Sequence, residues 1–97
     1  MRRYVLVCYD ISDARRWRGV FKVMKSYGEH VQYSVFLCQL TDVQEAELEA
    51  KLGEIIHSRQ DQVMFARIGS ATRKQLDKKI TTIGRPYIPR DIAKLIY

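Results

Sequence analysis

Tyr4-Val5-Leu6-Val7-Cys8-Tyr9-Asp10 is the stretch on which the fold turns. Six apolar or aromatic residues, rich in β-branched and ring types, end abruptly on a carboxylate, which predicts a strand over residues 3–9. Alternation puts Tyr4, Leu6 and Cys8 on one face and Val5, Val7 and Tyr9 on the other. Both faces are apolar, so the strand is expected to be central and covered on both sides, with a helix and a partner chain as the candidate covers. Asp10 then stands at the carboxyl edge, where a loop meets the positive end of a helix. α/β architectures tend to place ligand sites there.

Downstream, Ser12 is a good N-cap, Asp13 suits a first turn and Gly28 suits a C′ position, so a helix is predicted over about 13–27. Trp17, Val20, Phe21, Met24 and Tyr27 form its core stripe. Arg15, Arg18, Lys22 and Lys25 fall on an adjoining side, within an arc of roughly 80° at 100° per residue. After Asp13 no acid interrupts this basic row before Glu29.

Residues 30–40 are strand-like throughout, as one bent strand or as two short ones meeting near Tyr33-Ser34. Thr41-Asp-Val-Gln44 has the form of a capping box, and a second helix is predicted from there to about 58 with Leu48, Leu52, Ile55 and Ile56 inward. Glu45, Glu47, Glu49 and Glu54 give that helix an acidic face, expected to be solvated. Gln62–Ile68 is another strand, ending at Gly69; residues 70–79 are a loop or short helix, and Lys79–Gly84 reads as a last strand. Pro86 and Pro89 prevent further regular pairing, and Asp91–Tyr97 ends apolar, needing a surface on which to dock. The order matches an α+β, ferredoxin-like βαββαβ antiparallel sheet with two helices on one face and a C-terminal strand or tail extension. One domain is expected over 1–97, with its core at about 1–69 and a basic extension over 70–97.

The chain of 97 residues carries a net charge of +6, unevenly placed. Residues 1–27 balance at +5, residues 28–66 at −5 and residues 67–97 at +6. A face shared by the first helix and the C-terminal third would attract polyanions while the acidic helix points elsewhere. The apolar run is too short for a membrane span and lacks a signal-peptide layout, so a cytoplasmic protein without a membrane partner is expected. Cys8 and Cys38, both in predicted strands and far from any C-x-x-C pattern, read as reduced buried thiols.

The residues leave two uses open for Asp10. It is a metal ligand, since Mg²⁺ is commonly held by one or two carboxylates with water and phosphate, or it caps the loop or the first helix through backbone N–H groups. One carboxylate per chain is thin for a metal, and a dimer axis near the ends of the two first strands would supply a second. Arg15, Arg16, Arg18 and Lys22 are the candidate phosphate contacts, gripping backbone without reading sequence. His30 and His57 stand alone, and no nucleophile triad, zinc set or phosphate-binding glycine loop occurs. Any hydrolysis must therefore use a metal-activated water, with Asp10 as the catalytic residue.

Tyr9-Asp10-Ile-Ser-Asp13, the Arg15-to-Lys22 helix, Tyr27-Gly28 and Val31-Gln-Tyr-Ser-Val-Phe36 together resemble the CRISPR-associated protein two family over residues 3–40, and by layout to about residue 84. The resemblance implies a ferredoxin-like homodimer in which the C-terminal strand of one subunit pads the sheet of the other. It implies spacer acquisition in cytoplasmic antiviral immunity, with the dimer bridging dimers of the integrase, CRISPR-associated protein one, on duplex DNA. It also implies Mg²⁺-dependent endonuclease activity on RNA or DNA, with Asp10 as metal ligand and one ion shared across the dimer. The family's helix arginines fall near Arg15, Arg16 and Arg18, with Trp17 and Gly19 interrupting the row; Tyr9 and Phe36 are the supporting aromatics. A catalytically silent DNA scaffold is the alternative. A generic ferredoxin-like module stacking single-stranded RNA on Tyr4, Tyr33 and Phe36 is another.

Overall fold

β1 (Arg3–Asp10) lies inside the sheet, paired antiparallel with β3 (Val35–Leu40) on one side and β4 (Gln62–Gly69) on the other. β2 (Gly28–Gln32) pairs with β3, giving the order β2-β3-β1-β4. α1 (Ala14–Lys25) joins β1 to β2, α2 (Asp42–Ile55) joins β3 to β4, and α3 (Arg73–Lys79) follows β4. This is the expected βαββαβ arrangement. The computed structural model describes residues 1–70 and 72–85. The strand-like run 30–40 is two strands, because Gln32 pairs with Val35 and leaves Tyr33-Ser34 as a two-residue turn.

The two apolar faces of β1 are covered differently. Val5, Val7 and Tyr9 pack with Val20 and Met24 of α1, Leu48 and Leu52 of α2, and Phe36, Cys38 and Leu40 of β3. Complete burial of aliphatic side chains of this size stabilises by about 1.5–3 kcal/mol each, so this layer is the main source of cohesion. On the opposite face, Tyr4 and Leu37 meet Leu76 of α3, with Ile68 and Ile80 beside them. Leu76 is completely buried, which brings a residue of the 70–97 extension into the core.

Several sequence expectations need correction. The N-cap of α1 is Asp13 rather than Ser12: Asp13 has extended backbone and its carboxylate accepts from the Arg16 N–H at 2.9 Å. Ser12 is engaged elsewhere, by Asp61. α2 begins with the expected capping box of Thr41 and Gln44, but its acidic face is not all solvated. Glu45 is buried, and its Oε2 accepts from Arg67 Nε of β4 at 3.0 Å. Residues 79–84 form no strand. A second capping box, Thr72 with Gln75, starts α3 instead, and Lys79 is its last residue. Tyr4 and Phe36 are buried, so neither offers an exposed ring for base stacking. Pro86, Pro89 and Asp91–Tyr97 lie outside the described residues.

Gly28 is not a helix C′ residue, since α1 ends at Lys25 with Ser26 as C-cap. Gly28 is the first residue of β2, paired with Cys38, and an added Cβ would stand 2.5 Å from Cys38 Sγ and 2.7 Å from the Leu37 carbonyl oxygen. The requirement is space. Gly28→Ala is expected to destabilise by about 1–3 kcal/mol, the usual range for overpacking, in urea denaturation. Adding Cys38→Ala should recover only part of the loss, because the carbonyl contact remains.

Candidate active site

Asp10 ends β1 opposite Gln62, at a junction of four segments. β1 enters, α1 leaves, the Tyr33-Ser34 turn crosses beside it, and the segment before β4 closes the far side. The Tyr9 N–H donates to the Ser34 carbonyl at 3.0 Å, fixing the turn to the end of β1. Asp10 itself is exposed, and among the described residues no donor hydrogen-bonds its carboxylate. Beside it opens a pocket of about 360 Å³ lined by Tyr9, Asp10, Ile11, Ser12, Ala14, Trp17, Tyr33 and Ser34.

The loop carrying Asp10 is held by a residue to which the sequence reading gave no role. Asp61, whose side chain is completely enclosed, accepts from the Ser12 N–H at 3.0 Å, the Ser12 hydroxyl at 3.2 Å and the His57 N–H at 2.8 Å. Arg16 completes the set, with Nε 2.7 Å from one Asp61 oxygen and one terminal nitrogen 3.2 Å from the other. That same nitrogen donates to Ser12 Oγ and Gln60 Oε1. The Arg16 guanidinium, with the backbone and hydroxyl donors behind it, holds the Asp61 carboxyl far below the usual carboxylate range. In return Asp61 raises the Arg16 pKa. Arg16, one of the candidate phosphate contacts, is thus occupied by an internal carboxylate.

The other candidates divide by exposure. Arg15, Arg18, Lys22 and Lys25 are exposed, and Lys25 Nζ lies 5.7 Å from the centre of the Phe21 ring. Among the described residues Arg15, Arg18 and Lys22 form no ion pair. Tyr9 and Phe36 are buried beneath the pocket, their rings stacked at 6.3 Å. Burial, with a smaller contribution from the nearby Tyr33, pushes the Tyr9 phenol up to about 12, so it stays protonated. Trp17, read as core, is only half-buried and lines the pocket. It stacks on Phe21 at 5.1 Å and on Tyr33 at 4.9 Å, and its Nε1–H donates to Ser34 Oγ at 3.1 Å.

This arrangement can be compared with known proteins. The family model described as CRISPR associated protein Cas2 matches residues 1–76. The chain belongs to the Cas2 family. A curated relative from Geobacter sulfurreducens, named CRISPR-associated endoribonuclease Cas2, is 35% identical over 89 residues, covering 92% of each chain. One from Thermodesulfovibrio yellowstonii, with the same family name, is 54% identical over 63 residues, 65% of this chain and 69% of the relative. Among solved structures, Cas2 of Streptococcus pyogenes superposes with a TM-score of 0.69 at 30% identity, covering 84% of this chain and 99% of that one. A Thermus thermophilus protein described as hypothetical reaches 0.78 at 27% identity, covering 92% and 99%. Both solved structures thus share the overall fold over most of this chain.

The Asp61 clamp has a pH signature. A carboxyl whose folded value is depressed contributes stability above its unfolded value, near 3.9, and that contribution is lost as pH falls further toward the folded value. Asp61→Asn is expected to lower the melting temperature at pH 7. The gap from wild type should narrow as pH drops below about 4, where Asp61 begins to protonate in the unfolded chain. Thermal melts of both proteins between pH 7 and 2 measure it; a gap independent of pH would mean that the charge on Asp61 contributes nothing.

Proposed function

We propose that this chain is a Mg²⁺-dependent endoribonuclease of CRISPR adaptation that acts as a homodimer, with Asp10 holding the ion against a phosphodiester. The observation that carries the reading is Asp10, exposed at the end of a largely buried strand and among the residues that line a pocket. Helix capping, the competing use, is performed by Asp13. The printed names of the curated relatives add the endoribonuclease activity.

Magnesium takes oxygen ligands, keeps several waters and is usually bound through one or two carboxylates plus phosphate. A single solvent-facing carboxylate fits that demand. It does not fit an all-protein cage, and among the described residues no group of three or more His, Cys, Asp or Glu is placed to form one. When bound, the ion supplies charge neutralisation at the phosphate and a more acidic water. Asp10 holds that position, Arg15 and Arg18 take phosphate oxygens on the exposed side of α1, and Arg16 keeps the intervening loop rigid. Tyr9, held protonated, contributes packing rather than a base. Hydrolysis adds water across one P–O bond and leaves a phosphate monoester and a hydroxyl.

The sheet supports the homodimer. Alternation puts Asp10 on the same face as Leu6 and Cys8. Directly opposite residues share that face, so Val35, Cys8 and Met64 form one row and Leu37, Leu6 and Ala66 the next. Met64 is 54% exposed and Ala66 is exposed, while Leu6, Cys8 and Val35 are half-buried. A second copy seated here would cover the patch and bring its Asp10 toward the first, with one ion shared between them.

A scaffold role on duplex DNA, bridging the integrase CRISPR-associated protein one in the cytoplasm, is compatible with this chemistry. It is favoured by the exposed row Arg15, Arg18, Lys22 and Lys25, which tracks a phosphate backbone without reading bases.

Asp10→Ala is expected to abolish Mg²⁺-dependent cleavage of single-stranded RNA, as chelation does in the wild type, while nucleic-acid binding persists. Cleavage by Asp10→Ala at the wild-type rate would remove Asp10 from the chemistry. Replacing Arg15 and Arg18 together by Glu should weaken binding and make the plot of log affinity against log salt shallower, by about 0.7 per lost phosphate contact on single strands and about 0.9 on duplex. An unchanged slope would place the backbone elsewhere.

A further inference from the structure

Tyr33 is 70% exposed, large and apolar, and sits in a two-residue hairpin turn. Turn formation does not explain the choice. Two-residue hairpins favour Asn, Asp or Gly with positive φ, and among the described residues no non-glycine residue has positive φ. Three hydrogen bonds from outside hold the turn instead. The Tyr9 N–H donates to the Ser34 carbonyl at 3.0 Å, the Trp17 Nε1–H to Ser34 Oγ at 3.1 Å, and the His30 Nε2–H to the Tyr33 carbonyl at 3.2 Å. The Tyr33 ring lies on Trp17 at 4.9 Å with planes 22° apart. Among the described residues no other ring stacks on it. Trp17 in turn lies nearly parallel to Phe21, planes 13° apart, so the tier is backed by the core. This rigid aromatic wall lines the same pocket as Asp10, and 360 Å³ is within the usual size of a small-ligand pocket.

We propose that Tyr33, backed by Trp17, is a stacking platform for an unpaired nucleobase next to the phosphate at Asp10, so that the site selects single-stranded over duplex nucleic acid. The proposal rests on the reading of Asp10 as the phosphodiester site and adds the determinant of strand state. A base in a duplex is stacked on both faces and cannot lie on the ring, whereas an unpaired base can. The tier is preorganised, so little ordering is needed on binding. The Ser12 hydroxyl donates to Asp61 and accepts from Arg16, and the stacking face of the ring carries no base-specific hydrogen bond, so the platform is tolerant of base identity.

Trp17 is the only tryptophan of the chain, so its emission reports directly on the tier. In EDTA, where cleavage is absent, three ligands are titrated: a short single-stranded RNA, the same backbone with abasic sites, and a blunt duplex. Affinity is read from the anisotropy of a labelled strand and stacking from Trp17 emission. Wild type is expected to show Trp17 quenching with the base-bearing strand and not with the abasic one. Tyr33→Ala should bind the base-bearing strand roughly 5- to 100-fold more weakly, the range for losing one base–aromatic stack, and the abasic strand and duplex unchanged. Tyr33→Phe, which keeps the ring, should match wild type and shows that loss in the alanine variant is loss of stacking. Equal binding of the base-bearing strand by wild type and Tyr33→Ala, or equal quenching by both strands, would overturn the proposal. Asp10→Ala run in parallel separates the two readings: failure of the platform leaves its cleavage defect intact, and failure of the Asp10 assignment leaves the Tyr33 binding difference intact.

Discussion

The carboxylate of Asp61 is the constraint on which the site depends. It is completely enclosed, yet it carries a full charge, which is tolerable only because two backbone N–H groups, a hydroxyl and a guanidinium converge on it. Those donors come from segments about 45 residues apart in sequence. The clamp therefore does for the Asp10 loop what hydrogen-bond ladders do for the sheet. Without it the three residues between β1 and α1 would lack an anchor. Ser12 and the start of α1 would then shift against Asp10, and the proposed site tolerates little such spread.

Charge is allocated with similar economy. Arg16 is spent on Asp61, Arg67 on the buried Glu45, and Arg3 on Asp42 at the start of α2. The acids of the middle third are in this way partly consumed by arginines of β1, α1 and β4. Among the described residues the outer row of α1 stays without ion pairs. A net charge of +6 would by itself say only that the protein tolerates polyanions; the internal pairing decides which surface meets them. One helix thus has three sides with three tasks. Val20 and Met24 face the core, Arg16 faces the clamp, and Arg15, Arg18 and Lys22 face solvent.

Patterns that are local in sequence were legible. The apolar run ending at Asp10 gave a central strand, and Thr41-x-x-Gln44 gave the start of α2. The same capping signature stands at Thr72-x-x-Gln75, and of the loop or short helix expected over 70–79 the chain forms the helix, whose Leu76 covers part of the second face of the sheet. The displaced N-cap has the same origin: Ser12 and Asp13 are both good caps, and only the distant Asp61 decides between them. Glu45 looked like part of a solvated face because its partner, Arg67, is brought over it by β4. Gly28 was read for its backbone freedom when the need was room beside Cys38. Asp10 was legible as a candidate because a carboxylate at the end of a largely apolar strand is unusual, and the structure leaves it exposed. Tyr33 was among the rings expected to be open for stacking and is exposed, whereas Trp17, read as core, is half-buried because the Tyr33-Ser34 turn lies over only part of it.

The order in which the chain leaves the ribosome gives the clamp a further meaning. β1, α1, the hairpin and α2 are all made before Asp61 and β4. Until β4 pairs with β1, Ser12 and Arg16 lack their anchor, and residues 11–13 after Asp10 are not held in place. Non-local pairing of this kind forms late, since the loop-closure entropy must be met first. A nascent or C-terminally truncated chain can therefore hold every candidate phosphate contact without holding a competent site. The candidate site is complete only once β4 has paired, which places a delay between the synthesis of its residues and their assembly.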